Sequence, residues 1–310
     1  MFDTVAISST FARLPDIGLL ERNGCSASFS RDTGEPYKLV LNGEENAKEP
    51  RLTISKNPKE LWIIRAEVSI GAWLFDSNLF LPDENDMKNF FPALSEFVSE
   101  KTGIKFDARR ERVTRLDATR DFQTDEAKVL SILKQIGNVE IPKYDRKPVN
   151  NTGVYFVNKG KSKNKKYALY SKYHDLLNKN ASEAEIELAR GLLRLEIQHK
   201  NNRSVSDLAK SLHLSNHNAN NILTRQTSEK VIEKTMKLFS LSSLLENVES
   251  SLETLAKNFS SAMPLTLAGH LLYKAQYGSD YGKLPFINLT EETIKRYDRE
   301  CAKTGILSLE

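Results

Sequence analysis

Three short segments repeat one pattern of a basic residue, an apolar residue and an acid: Arg65-Ala66-Glu67, Arg115-Leu116-Asp117 and Arg194-Leu195-Glu196. Each lies in a run of alternating or branched apolar residues that reads as a β-strand. Strand side chains alternate between faces, so each pattern sends its arginine and carboxylate to one side and its apolar residue to the other. Aligned in one sheet, the three segments predict a polar face with three acids and three arginines over an apolar face that needs helices to cover it. On the third segment Leu193, Leu195 and Ile197 take the apolar side, and Arg194, Glu196 and Gln198 take the other.

The surrounding sequence supplies the rest of such a sheet. Phe2 to Ser8, Tyr37 to Leu41, Leu61 to Trp73 and Glu111 to Asp121 read as strands, with turns at Asn23-Gly24, Thr33-Gly34 and Asn42-Gly43. Gly153 to Asn158 and Lys165 to Tyr170 read as a hairpin whose tip, Lys159 to Lys166, holds five lysines in eight residues. Leu192 to His199 is the last strand. Helical spacing runs over Glu84 to Thr102, stopped by Gly103, and over Thr124 to Ile136, with Thr124 as N-cap and Gly137 past its end. Tyr170 to Asn178 turns helical, and Ser182 to Arg190 opens with a Ser182-x-x-Glu185 capping box.

Beyond Asn201 the alternation ceases. Ser204 to His213, Asn216 to Arg225, Ser228 to Phe239, Ser243 to Phe259, Leu265 to Tyr277 and Thr290 to Lys303 all read as helices. The expected fold class is α+β: an N-terminal, mostly antiparallel sheet packed by helices over residues 1–202, then an all-helical domain over residues 203–310. Ser206 to Leu223 resembles a helix-turn-helix, with Leu208, Ala209 and Leu212 packing the first helix. Asn216 and Asn218 lie on its exposed helix, where asparagines pair with adenine edges; an ordinary helical bundle accounts for the same apolar spacing.

Charge is distributed unevenly behind a net value of +4. Residues 1–100 carry 10 basic and 16 acidic side chains, residues 101–200 carry 22 and 13, and the remainder 13 and 12. An excess of nine in the middle third is what a docking polyanion requires, and is also what a solvated basic face looks like. No apolar stretch approaches membrane-spanning length and Met1 to Thr10 has no basic n-region before an apolar run, so the expectation is a soluble cytoplasmic protein with no membrane partner. Cys25 and Cys301 lack a C-x-x-C neighbour, which excludes a cysteine zinc cluster.

Clustered carboxylates suit a hard divalent cation such as Mg²⁺ or Mn²⁺, which takes oxygen ligands and shares them with substrate phosphate. Arginines beside them suit phosphate contacts. A half-exposed sheet face with cross-strand ion pairs has the same spacing. Tyr170 stands where the strand after the lysine-rich tip becomes a helix, followed by Lys172, Tyr173, His174 and Asp175.

The ordered series Thr114-Arg115-Leu116-Asp117-Ala118-Thr119, Tyr167-Ala168-Leu169-Tyr170-Ser171-Lys172 and Leu193-Arg194-Leu195-Glu196-Ile197 resembles the rolling-circle replication initiators of filamentous phages, the gene II/gene X family. It is also similar to the staphylococcal-type plasmid initiators. The order of strands and their separations, about fifty residues and then about twenty-five, match both groups. The resemblance covers roughly residues 60–200 and continues loosely to the C-terminal region. It implies a nicking domain over residues 1–202 and a helical DNA-binding or partner-docking domain over 203–310.

By position, the resemblance implies that Tyr170 cleaves the strand, that Asp117 and Glu196 hold Mg²⁺ or Mn²⁺, and that Glu67 joins them through a weaker match. Asp175 falls where plasmid initiators carry an acid and is expected to assist as base or ligand. His174 is expected to position phosphate or leaving group, and Asp121 is a further acid of the set. Arg115, Arg194, Lys172 and the lysines at 161, 163, 165 and 166 are expected to neutralise DNA phosphate. The implied activity is transesterification on single-stranded or extruded origin DNA in a bacterial host, giving a 5′-phosphotyrosine and a free 3′-hydroxyl that primes synthesis. A host helicase, a polymerase and a second copy of the chain are the expected partners. The five histidines form no His-hydrophobe-His pair, and His199 falls on the apolar parity of its strand, which points to the core. The rival readings are a tyrosine recombinase, which uses an Arg/His/Arg set and no metal, and a DNA regulator that binds an origin or operator without cutting.

Overall fold

The computed structural model describes residues 1–13, 15–41, 48–57, 59–159, 164–179, 181–239, 241, 293–297 and 299. Ten strands occur among these: β1 (Phe2–Phe11), β2 (Ser26–Phe29), β3 (Pro36–Leu41), β4 (Arg51–Lys56), β5 (Trp62–Ser69), β6 (Arg112–Gln123), β7 (Tyr144–Val149), β8 (Gly153–Asn158), β9 (Lys165–Ser171) and β10 (Leu192–His199). They form one sheet in the order β2-β3-β4-β5-β1-β6-β10-β9-β8-β7, with every pair antiparallel. The mixed α/β architecture with a large antiparallel sheet agrees with the class read from alternation. β1 lies between β5 and β6, so the first Arg-x-acid segment is one strand removed from the other two.

The helices with defined bounds are α1 (Ile17–Arg22), α2 (Ile70–Phe75), α3 (Glu84–Thr102), α4 (Glu126–Ile136), α5 (Lys172–Asn178), α6 (Glu183–Leu188), α7 (Asn202–Ser211), α8 (Ala219–Ile222) and α9 (Arg225–Leu238). Helix α3 starts with a reciprocal capping box between Asp83 and Asp86 and stops at Gly103, whose φ of 70° is open to a residue without a side chain. Helix α4 is capped by Asp125 rather than Thr124. The amide of Thr124 is instead bonded to the carbonyl of Gly191 at 2.8 Å. Gly191 has φ +71°, and a Cβ there would fall 1.9 Å from the Thr124 carbonyl oxygen, so only glycine lets the start of β10 meet the end of β6.

Two compact units divide the chain: Met1–Asp175 with Gly191–Phe239, and Leu176–Arg190 with Ser240–Glu310. The boundary expected between residues 202 and 203 does not coincide with this division. The chain leaves β10 directly into α7, and α7, α8 and α9 pack on β6 within the first unit. In the second unit α6 carries the anticipated Ser182/Glu185 capping box. The helices expected at residues 243–259 and 265–277, and most of that at 290–303, lie outside the described residues.

One face of the sheet is apolar and buried beneath helices. Val113, Leu116, Leu193, Leu195 and Ile197 are fully buried, with α4 on β8, β9 and β10 and α9 on β6 and β10. Phe239, just past α9, places its ring 5.0 Å from Phe156 and 5.5 Å from Tyr167, and Tyr144 adds a contact at 5.1 Å to Tyr167. Such tilted and edge-on pairs pin the helix to the strands beyond plain area burial.

His199 lies in the core, as its parity implies. Its Nδ1 meets Ser204 Oγ at 2.8 Å, its Nε2 has no partner, and burial holds the imidazole down at about 3. Between about pH 6.5 and 3 the unfolded chain therefore binds a proton that the native chain does not, so native stability falls as pH drops through that window. Urea midpoints at pH 7.5 and 5 should show the wild type losing on the order of 2 kcal/mol, and His199→Gln losing clearly less.

Candidate functional site

Register brings the predicted residues onto the second, polar face. Glu67 pairs with Ala6 and Ala6 with Arg115; Asp117 pairs with Gln198, and Glu196 with Thr119 on one side and Ala168 on the other. Arg194 pairs with Asp121 and with Tyr170. Tyr170, Glu196 and Asp117 thus stand on three adjacent strands of one face, although Asp117 and Glu196 are separated by 79 positions in sequence.

Tyr170 donates its hydroxyl hydrogen to Glu196 Oε1, and Gln198 Nε2 donates to Glu196 Oε2 at 2.9 Å. Burial first, and then the neighbouring Glu196 carboxylate, hold the Tyr170 phenol well above its ordinary value near 10. A tyrosine in this setting stays protonated at neutral pH, and Glu196 is the group placed to take its proton. Gly153 lies opposite Tyr170 on β8, where a Cβ would press on the Tyr170 Cβ at 3.1 Å.

Asp117 is almost wholly buried and its carboxyl is pushed up to about 7, by burial first, with Arg115 pulling it back and Glu196 and Asp3 adding repulsion. Arg115 grips both Asp117 oxygens, at 3.3 and 2.7 Å, and also bonds Glu67. Glu67 is held on its other oxygen by Arg65. Glu67 is set apart from the other two expected ligands by position: β1 separates its strand from β6, whereas Asp117 and Glu196 lie on neighbouring strands.

Among the described residues no three His, Cys, Asp or Glu side chains converge as a ready-made metal cage. Mg²⁺ seldom needs one, since one or two carboxylates plus substrate phosphate suffice. Asp117 and Glu196 are two carboxylates on one face of adjacent strands. They lie diagonally on neighbouring strands of that face, and the Glu196 charge is one of the lesser causes, after burial, that raise the Asp117 carboxyl.

Other sequence expectations are corrected by packing. Arg194 has no exposed surface: Nε and Nη2 each lie 2.7 Å from an Asp121 oxygen, Nη1 is 2.7 Å from the Asn78 carbonyl and Nη2 is 2.9 Å from that of Leu79. It fastens the segment between α2 and α3 to the sheet and is closed to DNA. Asp121 is accordingly the counter-ion of Arg194. Lys172 is equally buried, with Nζ 3.0 Å from both Asn78 Oδ1 and Asp175 Oδ2. Asp175 nonetheless stands near the site, since its charge helps to raise the phenols of Tyr155 and Tyr170.

His174 points away. Its Nδ1 contacts Ser171 Oγ at 3.0 Å and Glu126 Oε1 at 3.1 Å, and Ser171 projects from the face of β9 opposite to Tyr170. The expected role in handling phosphate is not supported by that direction. The lysine run also splits: Lys165 stacks on Tyr167 on the apolar face, whereas Lys166 lies on the Tyr170 face over the ring of Tyr155. Lys161 and Lys163 lie outside the described residues.

The anticipated recognition helix is also altered. In place of Asn216 to Leu223 there is a single turn, α8, preceded by backbone tied to the start of β6. Val113 N bonds His217 O at 3.0 Å, Ala219 N bonds Glu111 O at 2.9 Å, and Asn218 bridges to Arg112. Asn216 Oδ1 accepts from Asn218 N at 2.9 Å and Asn221 Nδ2 at 2.7 Å, so its side chain closes the loop. A segment whose backbone is tied to the end of an inner strand is not the free helix that major-groove reading needs.

The sequence reading assigned no role to Gln198, Tyr155 or Gly153. Gln198 was visible by parity, two residues beyond Glu196; the other two carry no local signal, because only strand register sets them beside Tyr170.

The sequence profile of one protein family, Phage_CRI, described as the N-terminal part of a replication-associated protein, matches residues 55–222. Among solved structures, a rolling circle replication initiator protein from Geobacillus stearothermophilus is similar at 12% identity and a TM-score of 0.30, over 68% of this chain and 77% of that one. No curated protein matches the chain. Among the described residues no helix is long and apolar enough to cross a membrane.

Proposed function

Because this chain belongs to the Phage_CRI family of replication-associated proteins, whose N-terminal profile spans more than half of it, we propose that it initiates rolling-circle replication by nicking one strand of origin DNA and rejoining it later. The observation that carries this reading is the Tyr170 hydroxyl bonded to Glu196 on the polar face, beside the buried Asp117.

In this mechanism a phosphodiester of single-stranded or extruded DNA lies across the face. The Tyr170 oxygen attacks phosphorus as the bond to the 3′ oxygen breaks, leaving a 5′-phosphotyrosine and a 3′-hydroxyl. The phenolic proton passes to Glu196, which Gln198 holds in orientation. Asp117 and Glu196 would hold Mg²⁺ or Mn²⁺, which when bound supplies Lewis-acid polarisation of the phosphate. Arg115 keeps a quarter of its side chain exposed and, unlike Arg194, is able to meet DNA phosphate. Rejoining is the reverse, with the 3′-hydroxyl attacking the phosphotyrosine. The helices after β10 and the second unit are assigned to holding origin DNA or docking a helicase, a polymerase or a second copy.

The test uses labelled single-stranded oligonucleotides tiling both strands of the chain's own coding region and its flanks, incubated with protein and Mg²⁺ or Mn²⁺. A covalent adduct on denaturing gels, formed with a subset of the oligonucleotides, is the expected result. Binding without an adduct on any of them would overturn the cutting activity in favour of a non-cutting origin-binding regulator. Asp117→Asn and Glu196→Gln should keep DNA affinity within a few-fold while slowing adduct formation by about 10²-fold or more. Wild-type rates at saturating metal would remove either acid from the site.

A further inference from the structure

We propose that Lys166, held over the ring of Tyr155, is the cation that grips the scissile phosphate beside Tyr170, and that Tyr155 is its positioning residue. This rests on the reading that Tyr170 is the nucleophile.

The geometry is a row of three residues across three strands. Tyr155 on β8 is paired with Ala168 on β9, and Ala168 with Glu196 on β10. Tyr170 and Lys166 flank Ala168 on the same strand and the same face, two residues to either side. Both side chains lean inward over it: the Tyr170 hydroxyl reaches Glu196 at one end of the row, and Lys166 Nζ sits 3.4 Å from the Tyr155 ring centroid at the other. The ends of the row are two strand spacings apart, roughly 10 Å. Between them the strand carries one methyl group, that of Ala168, which is itself covered, and the buried Gly153 lies alongside. A phosphate group that settles over this row meets the tyrosine hydroxyl on one side and the ammonium on the other.

Charge balance points the same way. Around this row Arg194 and Lys172 are buried in pairs with Asp121 and Asp175, and Arg115 lies between Glu67 and Asp117. Lys166 is held by an aromatic ring instead of a carboxylate. A ring quadrupole orients an ammonium without neutralising it, so its charge is left for a ligand, although burial draws it down and the Glu196 and Asp117 charges support it from a distance. During cleavage the Tyr170 oxygen–phosphorus bond forms and the phosphorus–3′ oxygen bond breaks. Glu196 takes the phenolic proton and water protonates the 3′ oxygen. Lys166 transfers no proton; it balances the negative charge that grows on the non-bridging oxygens.

Single-turnover adduct formation, measured with saturating amounts of an oligonucleotide from the tiling set that forms adduct, tests the assignment. Lys166→Gln should slow the step by about 10²-fold, with DNA affinity weakened by less than about 10-fold. Tyr155→Phe keeps the ring and should stay within about 2-fold of wild type, whereas Tyr155→Leu should slow the step by about 10-fold at unchanged affinity. Wild-type speed in Lys166→Gln, or Tyr155→Phe as slow as Tyr155→Leu, overturns the proposal. If Tyr170→Phe still forms the adduct, the underlying reading fails instead, whatever Lys166→Gln does.

Discussion

Tyr170→Phe deletes one oxygen and is expected to lower formation of the covalent protein–DNA adduct by at least about 10³-fold, to background on a denaturing gel. The ring keeps its packing, so stability should change by only about 1 kcal/mol, the worth of the hydroxyl's bond to Glu196. Binding to the same oligonucleotide should persist. The control that gives this experiment its force is Tyr155, the other tyrosine presented on the same face, next to Ala168. Tyr155→Phe should retain the adduct. Were the two results exchanged, Tyr155 would be the nucleophile and Tyr170 the neighbour.

The largest loss of stability is expected at Arg194. Asp121→Ala leaves a fully buried guanidinium with only two backbone carbonyls for company, and breaking a buried ion pair from one side typically costs about 3–5 kcal/mol. Arg194→Met strands the Asn78 and Leu79 carbonyls and frees the segment between α2 and α3 from the sheet, so it should fall in the same direction. Urea unfolding of both variants measures this. A phosphate-contacting arginine would behave differently: Arg194→Met would keep its urea midpoint and lose DNA affinity with a shallower salt dependence. That outcome would restore the role the sequence first implied.

Much of the polar face was legible before any coordinates. The alternation of Arg65/Glu67, Arg115/Asp117 and Arg194/Glu196 against their apolar neighbours needs only the two-residue period of a strand, and it predicted a shared face correctly. Helix α3 was legible to its last residue, because Asp83 and Gly103 are strong punctuation. The strand read as Leu61 to Trp73 stops at Ser69 and turns into α2, since its tail, Ile70 to Phe75, packs as a helix on β1, β5 and α3. Strands β2, β4 and β7 were missed: β2 is exposed along its length, and β7 carries Arg146, Lys147 and Pro148 where apolar residues would have announced it. The recognition helix failed because apolar spacing is silent about backbone that the end of a strand captures.

By itself, the sequence determined that an Arg/carboxylate face exists, that a tyrosine ends the strand after the lysine-rich turn, and that helices follow the last strand. Those are consequences of periodicity and local capping, which act within a few residues. Only the tertiary structure decided which charges are free to work. Register across β6, β10, β9 and β8 joined Tyr170 to Glu196 and Lys166 to Tyr155. Burial turned Arg194 and Lys172 from DNA contacts into the ties of the scaffold. A charge is available to a substrate only when its neighbours leave it unneutralised and exposed, and neighbours on other strands are set by the fold.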